Sequence, residues 1–406
     1  MMSESVATNG GTRRRLDHVD AMRPVKQFAV IGTHAMLVFA PHMMTWGWKS
    51  GLIFTRFSRD AFLFVSACML AYSYRNATKV ELKPYAWRRF VSVGVPYLVW
   101  TVIYWFWTSL QWSESFPYYS IRHNVLGMDH FVHLLVWGYY HLYYLLVLAQ
   151  FYFIFPWLLR FIRRHRKSHL PLLIGALVFE VIWSSAERGA WFGFHLDHRL
   201  VTRLIISYPF WLIAGVIVAL NFDAFHEWVV ARARQIVLVT VAMFLVAIAS
   251  NLWRPGGFYT VYVAAGKDPF APITLPYDIG AVLLVYLIGV YLVHPKRGTV
   301  TRRLVASGSD NAYGIYLSQM IFIPVVRRIL RHFDFTYQLP TGVRCVLAVL
   351  GAYVLGYFFT GLVARTPLAK AVVGRSRATW RSLIPRTTPE AAHGHEGRGP
   401  LDPSKR

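Results

Sequence analysis

Long apolar segments alternate with short polar stretches along most of the chain. A helix that crosses a bilayer needs about 20 mostly apolar residues. Such segments occur at residues 25–44, 58–75, 90–110, 131–159, 170–187, 201–221, 236–253, 274–294, 310–330 and 342–364. The pattern therefore predicts an all-α, polytopic integral membrane protein with about ten transmembrane helices.

The basic residues between these segments indicate an orientation, because cytoplasmic loops carry an excess of Lys and Arg. With the N-terminus inside, the inner loops hold Arg75, Lys79, Lys83, Arg88, Arg89, Arg160, Arg163, Arg164, Arg166, Lys167, Arg232, Arg234, Lys296, Arg297, Arg302 and Arg303. The opposite loops are longer and mostly poorer in Lys and Arg, although Arg327, Arg328 and Arg331 lie on that side. The balance predicts that both termini are cytoplasmic.

The two ends of the chain are polar, basic and poor in apolar residues. Residues 1–22 and 366–406 are therefore predicted to be disordered basic tails, which leaves residues 23–365 as one ten-helix membrane domain. The first apolar segment has no small-residue cleavage site after it, so no cleaved signal peptide is expected. No internal repeat of the kind found in many transporters is evident.

Composition agrees with a location in a cell membrane. The chain has 406 residues, of which 55% are hydrophobic and 15% charged, whereas a soluble protein has about 25% charged residues. The formal net charge is +24, but the basic residues lie between apolar segments and in the tails. A lipid bilayer is therefore the expected partner, and nucleic acid is not.

The first apolar segment carries three ionisable residues, Arg23, Lys26 and His34, although such residues at bilayer depth are rare and usually functional. Arg23 and His34 are eleven residues apart, which is about 20° past three full helical turns and about 16 Å along the axis. The two side chains therefore share one face. A cation at the interface would hold a polyanionic cosubstrate, and a neutral His34 near the midplane would act as a general base. Alternatively, Arg23 snorkels to the interface and His34 only bonds within the bundle.

Other polar residues at membrane depth are further candidates. Arg88 and Arg89 precede the third segment, where they either anchor the helix or bind phosphate. The remaining candidates either pack within the bundle, or bind an acceptor or orient His34; they are Asp60, Ser66, His141, Tyr144, Glu180, Tyr313 and Tyr316. Glu187 and Asp278 are further carboxylates that would orient His34, and the sequence does not choose between these acids. His195, Asp197 and His198 match no closed metal site, so no metal is predicted.

Five of these segments together resemble the membrane-bound acyltransferase 3 family. The first helix of that family carries an Arg and a His separated by ten residues, as at Arg23 and His34. The segment "DAFLFVSACML", which contains Ser66, resembles its second-helix motif. The resemblance covers roughly residues 16–365, in the same order along the chain.

Three later segments complete the resemblance. They are "WRRFVSVGVPY" with Arg89, Pro96 and Tyr97, "HLYYLLVLAQFYFIFP" with His141 and Pro156, and "NAYGIYLSQ" with Tyr313, Gly314 and Tyr316. Two positions depart from the family. The second arginine of the third-helix motif falls on Ser92 or Val93, which removes part of the expected donor contact. The late histidine is Gln319, and we interpret that motif as structural because an amide does not titrate.

The resemblance implies an integral membrane O-acyltransferase with ten helices. The donor would be acyl-CoA, most often acetyl-CoA, used as a cosubstrate with no permanently bound cofactor. The acceptor would be a hydroxyl of a glycan, glycolipid or glycosylated metabolite. His34 would be the catalytic base, and Arg23 and Arg89, with Arg88 beside it, would hold the donor's phosphates. The expected location is the bacterial cytoplasmic membrane. The alternative function is a transporter or flippase for a lipid-linked saccharide.

Overall fold

A computed structural model of the protein describes residues 16–39, 45–110, 127–189, 198–252, 272–333 and 338–377. These residues form helices joined by turns, and no strand occurs among them. The all-α prediction is thus confirmed for the described part of the chain. One hydrophobic core runs through the bundle and includes residues from most of its helices.

The first part of the chain forms α1 (Asp17–Val38), α2 (Trp46–Arg56), α3 (Ser58–Tyr74), α4 (Leu82–Arg89), α5 (Val95–Leu110), α6 (Met128–Trp137), α7 (Tyr143–Arg164), α8 (His169–Gly189) and α9 (His198–Val201). The second part forms α10 (Pro209–Leu220), α11 (Phe222–Ala231), α12 (Ala233–Leu252), α13 (Leu275–Val293), α14 (Thr299–His332), α15 (Thr341–Val363) and α16 (Ala369–Val373).

Six helical stretches of the described residues are long and apolar enough to cross a membrane, so the protein is a multi-pass membrane protein. They are Leu82–Thr108, Tyr140–Arg164, Arg166–Ala186, Ala233–Ser250, Pro272–Val293 and Thr341–Val363. A seventh results if α10 and α11, which bend by 102° at their junction, form one span.

Helices α1, α3 and α14 correspond to predicted segments but do not belong to this set. They lie in the interior of the bundle: α1 packs against α3, α13 and α14, and α3 packs against α10. The α3–α10 contact is close, because a Cβ on Gly215 would lie 2.6 Å from the Phe64 carbonyl oxygen. Neighbouring helices shield these three helices, which explains how they carry more polar residues than a lipid-facing helix.

Helix α1 begins at Asp17, earlier than the sequence predicts. The tail predicted for residues 1–22 is therefore wrong from Asp17 onwards, while residues 1–15 lie outside the described part. Val19 and Met22 are buried, and Asp20 is paired with Arg23. The hydropathy pattern does not predict this start of α1, because the first turns face other helices and not lipid. There, acidic and basic residues pair with each other.

The C-terminal boundary also differs from the prediction. Residues 366–377, predicted to belong to a disordered tail, include α16, whose Ala369 and Val373 are buried. The indole nitrogen of Trp100 on α5 donates a hydrogen bond of 2.7 Å to the Val372 carbonyl. This segment therefore packs on the bundle, and residues 378–406 lie outside the described part.

The fourth predicted segment, residues 131–159, is broken between α6 and α7. Gly138 has φ 70° and ψ 140°, and Tyr140 has φ 40°. The chain then makes a 3₁₀ turn, Tyr140–Leu142, before α7 begins. A Cβ on Gly138 would lie 2.7 Å from the Tyr143 nitrogen, so glycine is required. The break turns His141 into the interior of the bundle.

Candidate active site

One face of α1 carries Arg23, Gln27 and His34 through the bundle interior. Because α1 begins at Asp17, Arg23 lies about 9 Å inside the helix, not at its end. A guanidinium nitrogen of Arg23 lies 3.4 Å from a carboxylate oxygen of Asp20. His34 is about 26 Å along the axis from Asp17 but only about 6 Å from Val38, the last residue of α1. The histidine is therefore much nearer one end of α1 than the other.

His34 faces a second histidine, His141. Their ring centroids are 5.9 Å apart, with an interplanar angle of 65°. The His34 ring is partly buried and its Nδ1 has no hydrogen-bond partner among the described residues. His141 is fully buried, and neither of its ring nitrogens forms a hydrogen bond of normal geometry with a described residue. The structure thus places two imidazoles together, with free acceptor or donor positions.

Two tyrosines hold His141 in place. The Tyr316 hydroxyl donates to the His141 carbonyl, and the Tyr316 ring lies 4.8 Å from the imidazole at 84°. The Tyr104 ring lies 5.7 Å away at 85°. The hydroxyl of Tyr104 donates a 2.7 Å hydrogen bond to the Leu317 carbonyl, so both tyrosines tie the His141 turn to α14. This packing positions the second histidine beside the first.

Helices α1 and α14 carry further buried polar atoms that have no hydrogen-bond partner among the described residues. They include the Gln27 amide nitrogen, the Tyr313 hydroxyl and both polar atoms of the Gln319 amide, which is fully buried. Buried polar groups in proteins are almost always hydrogen-bonded. In a membrane domain, water or a bound substrate is needed to satisfy these groups. The interior of α1 and α14 is therefore suited to a polar ligand.

A cavity of about 430 Å³ lies between α7 and the α4–α5 region. Its walls are mostly apolar, but Arg89, Tyr85 and Tyr152 contribute polar groups. The Arg89 Nε is buried without a hydrogen-bond partner, and its guanidinium carbon lies 5.7 Å from the Tyr152 ring centre. Arg23 and Arg89 both interact electrostatically with the Tyr152 hydroxyl. Arg88, in contrast, is exposed and donates to the Tyr74 hydroxyl at 3.2 Å.

The backbone explains the position of Arg89. A π-helical segment, Phe90–Gly94, follows Arg89 directly and separates α4 from α5. Pro96 lies just after that segment and lacks the amide hydrogen that a regular helix would need. Single π-helical turns often occur at functional sites. Here the segment places Arg89 beside the cavity while Arg88 points to the surface.

Residues 17–361 match the family model of an acyltransferase domain. The chain belongs to the acyltransferase 3 family. The match begins at the first residue of α1 and ends within α15, so it covers most of the chain and the whole His34–His141 region. The protein is accordingly a membrane acyltransferase. No curated protein and no solved structure has significant similarity to it.

The acyltransferase has a second polar cluster that is separate from the histidine pair. Asp60 is fully buried and accepts hydrogen bonds of 2.8 and 3.3 Å from Arg59. Glu180 accepts a 3.0 Å hydrogen bond from the Phe210 backbone nitrogen. An Asp278 carboxylate oxygen lies 3.7 Å from the Nε of Arg56. No carboxylate of the described residues forms an ion pair with His34, so none of these acids is placed to orient it.

The remaining sequence candidates of the acyltransferase divide between the two clusters. Tyr144 is buried and stacks on Tyr143 at 4.3 Å, near Arg59. Tyr313 stacks on Tyr316 at 6.4 Å, on the side of the histidines. Ser66 is partly buried and has no hydrogen bond to a described residue. Among the described residues no group of metal-ligating side chains occurs; His195 and Asp197 lie outside them.

Sequence reasoning missed several residues that line the histidine region. Tyr104 and Phe62 carry no distinguishing signal, because aromatic residues are common throughout the chain. Phe62 stacks on Tyr316 at 4.9 Å. Lys26 is visible in the sequence as a cation in an apolar segment, but only the packing of α1 shows that it is buried.

Proposed function

We propose that this acyltransferase moves an acyl group, most simply acetyl, from acyl-CoA to a hydroxyl of a glycan, glycolipid or glycosylated metabolite. His34 serves as the general base. It removes the proton of the acceptor hydroxyl while that oxygen attacks the thioester carbonyl. The carbon–sulfur bond then breaks, and the CoA thiolate takes the proton from the imidazolium.

The pairing of His34 with His141 is the observation that carries this proposal. An imidazole with an unpaired ring nitrogen can accept a proton directly. General base catalysis by such a group contributes on the order of 10²- to 10⁴-fold to a rate. A histidine that only stabilised the bundle would be expected to use its ring nitrogens in hydrogen bonds.

The depth of His34 supports a donor that enters from the Asp17 end of α1. From that end a substrate has to extend about 26 Å, which suits a long, flexible donor arm. Arg23 and Arg89, which both act on the Tyr152 hydroxyl, are placed to bind the donor's phosphates. Arg88 is a weaker candidate, because it is exposed and bonded to Tyr74.

The acceptor then approaches from the Val38 end, where His34 is only about 6 Å from the end of the helix. The aromatic and charged side chains around Asp60, Glu180 and Tyr144 are suited to a sugar, although their contacts with one another explain their presence equally well. Tyr313 and Tyr316 lie on the inner side of His141 and are placed to orient it or the substrates.

We also propose ten transmembrane helices with both termini in the cytoplasm, in the bacterial cytoplasmic membrane. With α10 and α11 counted as one span, the apolar helices would make seven crossings, and the interior helices α1, α3 and α14 would bring the number to ten. The basic residues then lie mainly in inner loops, as the positive-inside rule requires. The Asp17 end of α1 is thereby cytoplasmic, the side on which acyl-CoA is available.

The test is an assay of the purified acyltransferase with acetyl-CoA and a panel of glycans and glycolipids, which measures free CoA thiol and acceptor mass. We expect wild type to release CoA and His34→Ala to lose on the order of 10²- to 10⁴-fold in rate. His165→Ala, at an exposed position, is the matched control and should keep wild-type activity. Full activity in His34→Ala would refute the base assignment.

The alternative function, a transporter or flippase for a lipid-linked saccharide, is disfavoured by membership of an acyltransferase family. The same assay distinguishes the two functions. If wild type neither transfers nor hydrolyses acyl-CoA but moves a lipid-linked saccharide across proteoliposomes, the donor proposed above is wrong.

A further inference from the structure

Lys26 is a buried cation that the catalytic scheme does not yet use. It lies near the middle of α1 and only 4% of its surface is exposed. The Nζ atom lies over the ring of Phe62, whose centre is 4.2 Å away. Among the described residues no carboxylate forms an ion pair with Lys26.

An unpaired ammonium inside a membrane domain is energetically unfavourable. A charge that is removed from water needs a partner of opposite sign. The cation–π contact with Phe62 offsets only part of this cost. Arg23 lies one helical turn away and adds repulsion, and the nearby carboxylate of Asp20 is engaged by Arg23. Within the described part of the chain, no acidic side chain is therefore paired with Lys26.

The position of Lys26 along α1 indicates which part of the donor would supply this anion. Lys26 lies about 4.5 Å deeper than Arg23 and about 12 Å short of His34 along α1. Side chains on a helix lean toward its N-terminus, which directs Lys26 away from His34. Along the helix axis Lys26 therefore lies between Arg23 and His34, on the side from which the donor would enter. The Lys26 ammonium can therefore bind an anionic group that lies between the two ends of the donor.

We propose that Lys26 binds the diphosphate of acyl-CoA inside the bundle and so sets how far the donor enters. This inference rests on the proposed function. Arg23 meets the same phosphates from the cytoplasmic side, and the pantetheine arm covers the remaining distance to His34. The donor is therefore recognised by its phosphates in the membrane interior, not only at the surface.

The test uses the full-length protein and two donors, acetyl-CoA and acetyl-pantetheine, which lacks every phosphate. Lys26→Met removes the charge at similar volume, Lys26→Arg keeps it, and Lys296→Met removes an exposed lysine as the matched control. We expect Lys26→Met to raise the apparent KM for acetyl-CoA at least tenfold, about 1.4 kcal/mol, with kcat nearly unchanged. Its KM for acetyl-pantetheine should equal that of wild type, and Lys26→Arg should restore most of the acetyl-CoA affinity.

The Tm in detergent is a second measurement. If Lys26 had a purely structural role, Lys26→Met would lower the Tm, whereas the present proposal predicts no such decrease. Without CoA, Lys26→Met should unfold at the same or a higher temperature than wild type, because an uncompensated buried charge is gone. Added CoA should then raise its Tm less than that of wild type. A lower Tm without CoA, or an equal rise in KM for both donors, would overturn the role of Lys26. If wild type uses neither donor, the proposed function itself fails.

Discussion

The imidazoles of His34 and His141 lie edge to face, with ring centroids 5.9 Å apart, although 107 positions separate them in the sequence. One comes from a regular helix, α1, and the other from a 3₁₀ turn between α6 and α7. In the proposed reaction, both rings would lie beside the acceptor hydroxyl. We infer that His141 positions this hydroxyl or exchanges a proton with it, while His34 is the base.

Substitution of His141 tests this arrangement. His141→Gln should lower kcat on the order of 10²-fold and leave the donor KM nearly unchanged, because the residue acts on the reacting hydroxyl and not on CoA. In a His34→Ala background the same change should cause little further loss, since the two residues act as a unit. Steady-state kinetics of the two single variants and the double variant measure this. Fully additive losses would show that the histidines act independently.

The adjacent residues Arg88 and Arg89 provide a matched pair of equal charge. Arg89→Met should raise the apparent KM for acyl-CoA about tenfold to a hundredfold, because a charged hydrogen bond contributes about 1.5–3 kcal/mol. Arg88→Met should change this KM less than about twofold, since its side chain is exposed and bonded to Tyr74. Donor titrations of both variants make the comparison. Equal effects would place the donor at the surface and not in the cavity beside Arg89.

The break before α7 predicts a specific glycine requirement. Gly138→Ala should lower the free energy of unfolding by at least about 1–2 kcal/mol, because φ is positive and the new Cβ would contact Tyr143. Gly175→Ala on α8 is the control: its Cβ would meet no atom within 4 Å, and alanine favours a helix interior. Tm values in one detergent decide the matter. A Gly138→Ala protein as stable as wild type would show that the break adapts to a side chain.

The Arg59–Asp60 pair predicts a stability effect that is separate from catalysis. Asp60→Leu leaves the buried Arg59 guanidinium without its carboxylate and should destabilise the protein by about 3–5 kcal/mol. The double variant Arg59→Met/Asp60→Leu removes both charges and should recover much of that loss. Unfolding curves of the single and double variants measure the coupling. If the single and double variants unfold at the same denaturant concentration and both have a raised acceptor KM, the pair belongs to the acceptor site.

The sequence predicted well those features that depend on local periodicity. Arg23 and His34 share a face of α1 because eleven residues make close to three turns, and no tertiary information is needed for that. The start of α1 could not be predicted, since Asp17, Asp20 and Arg23 look like a soluble tail. Only the neighbouring helices make this first turn part of the bundle.

The partner of His34 required tertiary structure. The sequence offered four carboxylates as candidates to orient it: Asp60, Glu180, Glu187 and Asp278. In the fold Asp60, Glu180 and Asp278 bind Arg59, the Phe210 amide and Arg56 instead. His141 reaches His34 only because Gly138 and Tyr140 adopt unusual backbone angles before α7. A hydropathy pattern contains no information about such a break.

Because α1, α3 and α14 lie inside the bundle, we expect substitutions on them to be constrained differently from substitutions on lipid-facing helices. Helices such as α8 and α12 are mostly in contact with lipid, which accepts many apolar side chains in place of one another. On the three interior helices some buried polar residues depend on a partner from another helix, as the Tyr316 hydroxyl does on the His141 carbonyl. Sequence drift should therefore be fast at the perimeter and slow at the centre. New acceptor specificities should arise mainly at the Val38 end, where change does not disturb the long donor passage.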